Sequence, residues 1–84
     1  MSLAEAETPM NRYRNLGGNS GIRAYEIGKD SIVVKFSDSG TYRYTHASAG
    51  ASHVEQMKRL AKAGQGLATY INQHVRDRYE SRLD

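Results

Sequence analysis

The sequence predicts an α+β domain in the order β-β-β-α-α, a three-stranded antiparallel β-meander with two helices packed on one sheet face. Three observations carry this reading. Residues 22–46 contain three short segments of alternating or β-branched character, bounded by turn residues. From about residue 52 the apolar side chains recur at intervals of three and four. The connectors between the strand segments are too short for parallel crossovers, so neighbouring strands must run antiparallel.

The first strand is Ile22–Ile27, closed by Gly28-Lys29-Asp30. The second, Ser31–Ser37, is the strongest because Ile32, Val33 and Val34 are β-branched. The third, Thr41–His46, alternates cleanly. Across the Gly28–Ser31 turn, Ile27 pairs with Ile32 and Tyr25 with Val34. Ile22 and Ile27 lie five residues apart and would fall on opposite faces, so a bulge is expected near Arg23-Ala24. Asp38-Ser39-Gly40 reads as a three-residue hairpin loop with Gly40 in the left-handed position. That loop sets Ser37 opposite Thr41, Phe36 opposite Tyr42, Lys35 opposite Arg43 and Val34 opposite Tyr44.

The first helix begins at Ser52, where Ser52-His53-Val54-Glu55 has the spacing of a capping box. It runs to about Ala63 and stops at Gly64. Its apolar stripe is Val54, Met57, Leu60 and Ala61. The second helix starts near Gly66 and carries Leu67, Tyr70, Ile71, His74, Val75 and Arg78 on one face. Two helices over three strands leave the other sheet face open to water or to a partner.

With 84 residues, the chain is one domain. Residues 1–19 are expected to form a flexible N-terminal tail and residues 20–84 the domain. Leu, Ile, Val and Phe number 14, so the core is thin and the six Tyr must supplement it. A large enzyme with a deep pocket is excluded. The absence of Cys removes disulfides, thiolate nucleophiles and Cys-based zinc sites, and favours the cytoplasm. No apolar run approaches a membrane span, and the acidic head lacks the charged and apolar regions of a signal peptide. The net charge is +3, but residues 11–84 hold twelve basic against seven acidic side chains, a net +5.

Ile27-Gly28-Lys29-Asp30, then Gly40-Thr41-Tyr42-Arg43-Tyr44, then Asn72-Gln73-His74-Val75-Arg76-Asp77-Arg78-Tyr79 form an ordered set. In that order and spacing the chain resembles the KTSC domain family, named for the C-terminus of some lysyl-tRNA synthetases and found also as small bacterial proteins. The resemblance covers residues 20–80, and its central Tyr-x-Tyr mark is matched by Tyr42 and Tyr44. It departs in a first strand about two residues longer, and in Ala47-Ser48-Ala49-Gly50-Ala51 where the family more often has a proline-containing helix start. The resemblance implies a bacterial module associated with RNA and carries over no catalytic residue.

Tyr42 and Tyr44 point to one face of the third strand. Paired rings on a strand can stack bases, but the register turns these two toward the helices, where they would pack as core. On the open face Lys35 and Arg43 stand directly opposite one another. Like charges in that position repel, and an anion would relieve them. Ser37, Thr41 and Thr45 beside them would add hydroxyl donors to phosphate oxygens. Lys58, Arg59 and Lys62 on the first helix, and Arg76, Arg78 and Arg82 near the end of the second, form lesser basic groups. His46, His53 and His74 lack metal-ligand spacing, although His46 and His74 could approach each other. No nucleophile or oriented carboxylate accompanies them. The chain therefore reads as a non-enzymatic, cofactor-free and metal-free binding module for RNA. A protein-interaction or homo-oligomeric domain is the alternative, because the core is thin and a sheet edge stays uncovered.

Overall fold

A computed structural model describes residues 10–18 and 21–83. Along the chain the elements are β1 (Asn11–Arg12), β2 (Ile22–Ile27), β3 (Ser31–Phe36), β4 (Gly40–Thr45), α1 (His46–Ala49), α2 (Ala51–Ala63), α3 (Leu67–Tyr70) continuing as a π-helical segment (Ile71–Val75), and β5 (Ser81–Arg82). The fold is α+β with an antiparallel sheet, as the residue pattern indicates. The sheet has five strands in the order β1-β2-β3-β4-β5, not three. The two additional strands are two residues long, too short to show alternation, and only pairing with the central strands defines them.

β3 is the central strand and is buried on both faces: Ile32 and Val34 face the helices and Val33 the other side. Its register with β2 sets Ile27 against Ile32 and Tyr25 against Val34, and the bulge falls between Ile22 and Ala24. That bulge returns Ile22 to the helix side, where it is buried.

The β3–β4 hairpin is displaced by two residues from the expected register. Val34 pairs with Tyr42, Ile32 with Tyr44 and Phe36 with Gly40. The loop is Ser37-Asp38-Ser39, because the Ser37 amide donates to Gly21 O (2.7 Å) and the Tyr42 hydroxyl donates to Ser39 O (2.8 Å). Gly40 therefore enters β4 with φ +107°, in the region glycine favours. A displacement of two keeps every side chain on its face. Phe36 and Tyr42 still touch edge to face, with ring centroids 5.9 Å apart.

The helices depart further from expectation. The capping box forms at Thr45 and Ser48 and opens α1, rather than at Ser52 and Glu55. Gly50, at φ +102°, joins α1 to α2, so Ser52 already lies inside a helix and Glu55 turns elsewhere. α2 stops at Gly64 with φ +81°, as its sequence indicates. Val54, Met57 and Ala61 face the sheet. The second helical run ends at Val75, well before Arg82. The Arg76 amide donates to Ile71 O (2.6 Å), closing the π turn, and Arg76 takes φ +22°. The chain then returns to the free edge of β4, where the Glu80 amide donates to Arg43 O and the Leu83 amide to Thr41 O. Tyr79 seats this return by packing on Tyr42, with centroids 4.7 Å apart.

Residues 11–18, expected within a flexible tail, are built into the domain. Tyr13 is 3% exposed and belongs to the core with Met57, Leu67 and Ile71. Residues 1–9 of that expected tail lie outside the described residues.

Candidate nucleic-acid interface

The helices cover the Ile32/Val34/Tyr44 face of the sheet. The opposite face carries two cross-strand rows set by the pairing: Arg12, Ala24, Lys35 and Thr41 in one, Glu26, Val33, Arg43 and Ser81 in the other. This pairing corrects the expected Lys35–Arg43 contact. Lys35 stands opposite Thr41, and Arg43 opposite Val33. The two cations share a face but are diagonal neighbours, about 7–8 Å apart. The two-residue displacement of the hairpin is the cause.

The four expected contact residues therefore separate. Lys35 is exposed. Arg43 has a carboxylate partner that the shortened second helix delivers: its Nη1 lies 3.9 Å from Glu80 Oε1. Thr41 is 8% exposed beneath its neighbours. The Thr45 hydroxyl accepts the Ser48 amide at 3.0 Å and so serves the start of α1.

A different group assembles around Lys35. The bulge at Arg23 and the pairing of β1 with β2 bring Arg12, Arg14 and Arg23 to an open groove of about 850 Å³ that Lys35 and Ser37 also line. No carboxylate lines it among the described residues. Arg14 is committed to structure: its Nη2 donates to Lys62 O (2.7 Å) and Ala63 O (3.1 Å), the carbonyl end of α2. Arg12, Arg23 and Lys35 are exposed. Arg12 and Lys35 lie in one row two strands apart, about 10 Å between backbones. Neither Arg12 nor Arg23 stands out in the sequence. Arg12 sits in a polar stretch without strand character, and the bulge that displaces Arg23 was legible only as a conflict between Ile22 and Ile27.

The motif tyrosines lie on the other face. Tyr44 is 1% exposed and its hydroxyl donates to Arg76 O (3.3 Å). Burial, and then the neighbouring Tyr42, Tyr79 and Asp77, push its phenol up to about 12. Tyr42 is half-buried, with the Arg82 guanidinium 5.6 Å from its ring centre.

The lesser basic groups also change. Lys58 is not on the exposed side of α2 but 9% exposed, donating to Lys29 O (3.0 Å) and paired with Glu55 (2.9 Å). Glu55 also meets His46 Nε2 at 2.9 Å, and hydrogen bonds from Lys58 and His46 hold its carboxyl below the usual range. Arg82 lies in β5, apart from any helix. His74 neighbours His53 rather than His46: the two rings stack with centroids 5.4 Å apart, and His53 Nδ1 is 2.7 Å from the Tyr70 hydroxyl. Among the described residues, no three metal-ligating side chains converge, and no helix is long and apolar enough to cross a membrane.

The chain matches no family model, no curated protein and no solved structure.

Proposed function

We propose that the protein is a small, non-enzymatic module of KTSC-like type that binds RNA in the cytoplasm through phosphate contacts on its open sheet face. The observation that carries this reading is the groove where Arg12, Arg23 and Lys35 meet with no lining carboxylate among the described residues. Cations confined to one groove sum their potentials, and a separation near 10 Å is about one Debye length at 0.1 M salt, so the field persists at low salt. A phosphate chain laid across the groove neutralises that field and releases its own counterions. The bulge supports the assignment, because bulges re-aim side chains next to binding sites. Lys35 keeps its expected place in this interface. Arg12 and Arg23 take the roles first given to Arg43, Thr41 and Thr45, whose groups are paired or buried.

The test is a titration of a mixed RNA pool against the wild type and an Arg12→Glu/Lys35→Glu variant. Salt-sensitive binding by the wild type that the variant loses by about tenfold or more supports the groove, since each reversal removes one phosphate contact and adds a repulsion. Absence of binding at low salt removes the RNA reading and leaves protein interaction or self-association as the function.

A further inference from the structure

We infer that this groove holds nucleic acid by its phosphates and not by aromatic base stacking, so that it accepts a sugar-phosphate backbone whether or not bases are attached. The inference rests on the RNA-binding reading and specifies what that site contacts. Sequence-tolerant base stacking on a sheet is carried chiefly by aromatic rings, with guanidinium planes as the lesser platform. The aromatic side chain lining the described groove is Tyr13. It is 3% exposed, and its hydroxyl accepts the Leu67 amide at 3.3 Å. Tyr13 is therefore a wall of the core, closed to stacking.

The other strand aromatics are turned away, Tyr25 to the helix side opposite Val34, where it packs against the core. Tyr42 and Tyr44 belong to the helix-covered face, and their hydroxyls donate to Ser39 O and Arg76 O. The Phe36 ring rests against Tyr42 on that same side. The groups presented to a ligand are the guanidinium heads of Arg12 and Arg23, the Lys35 ammonium and the Ser37 hydroxyl, a set that suits phosphate oxygens. Arg14 also lines the groove, but its guanidinium is engaged by Lys62 and Ala63 carbonyls.

The experiment compares three fluorescent probes of equal length with the full chain at low salt: an oligouridine, an abasic sugar-phosphate strand and a blunt RNA duplex. The abasic strand is expected to bind within about threefold of the oligouridine, because base stacking contributes nothing. The duplex is expected to bind at least as tightly, its phosphates being denser. Arg12→Gln/Lys35→Gln, which keeps an unbranched polar side chain but removes the charge, should weaken all three probes alike. A loss of about tenfold or more on removing the bases, the size that one stacked base commands, overturns the inference while leaving RNA binding intact. Failure of all three probes to bind removes the RNA reading itself.

Discussion

Tyr44 and Gly64 show how single residues hold this domain. Burial pushes the Tyr44 phenol up to about 12 in the folded state, against an ordinary value of 10. Its folded value lies above its unfolded value, so its stabilising contribution is complete below pH 10 and is lost as pH rises through 12. A displacement of that size corresponds to roughly 3 kcal/mol at the alkaline limit. Urea denaturation between pH 9 and pH 12 should show a steep fall for the wild type and a shallower one for Tyr44→Phe. The variant starts about 1 kcal/mol lower for its lost hydrogen bond. Equal slopes for the two proteins would assign the fall to other groups. Gly64 combines φ +81° with close approach of the N-terminal segment: a Cβ there would lie 2.8 Å from Arg14 Cβ. Gly64→Ala should destabilise by roughly 1–3 kcal/mol through strain and a displaced Arg14. Gly17→Ala, where a Cβ meets nothing within 4 Å, should change stability by less than about 0.5 kcal/mol. Denaturation midpoints of the pair check both.

Among the elements, residues 11–16 join the two ends of the architecture. The Tyr13 amide donates to Arg23 O (2.9 Å), and the Leu16 amide to Gly64 O (2.6 Å). Between them Arg14 caps the carbonyl end of α2. The Tyr13 ring fills the core, and its hydroxyl accepts the first amide of α3. One face of this segment therefore secures the helices while Arg12 faces the groove. Tyr13→Ala removes a buried aromatic from a thin core and should cost about 3–5 kcal/mol, a large share of the total for a domain this small. The expected result is a protein largely unfolded by circular dichroism at 37 °C. A variant that melts within a few degrees of wild type would show that the segment is not structural. The β2–β3 register and the apolar stripe of α2 are legible in the sequence, but this segment is not, because Asn11-Arg12-Tyr13-Arg14 has no apolar period.

At the scale of the whole molecule, the excess of positive charge is unevenly spent. Lys58 and Arg43 have carboxylate partners and Arg14 caps a helix, whereas Arg12, Arg23 and Lys35 share one groove that no carboxylate lines among the described residues. On the proposed RNA-binding reading, function at this scale is a salt dependence. Three phosphate contacts on a single strand imply a slope of log affinity against log salt of about −2, at roughly 0.7 per contact. Lys35→Gln should reduce its magnitude by about 0.7. Fluorescence titrations at several salt concentrations measure both values, and a slope unchanged by Lys35→Gln would move the site elsewhere on the surface.

Local chemistry alone determined the three central strands, the Ile27–Ile32 register, the bulge at Arg23, the faces of Tyr42 and Tyr44, and the end of α2 at Gly64. Each of these depends on side-chain alternation, a turn residue or a left-handed glycine, and all are properties of neighbouring residues. Tertiary structure decided the rest. β1 and β5 exist because the outer edges of β2 and β4 offer hydrogen bonds, and the second helical run ends at Val75, after which the chain turns back and seats Tyr79 on Tyr42. The candidate site follows the same division. Lys35 lies on a strand whose face alternation reveals, whereas Arg12 reaches it only through backbone pairing with residues more than ten positions away. A two-residue strand has no period to read, and its position is set by the edge that receives it.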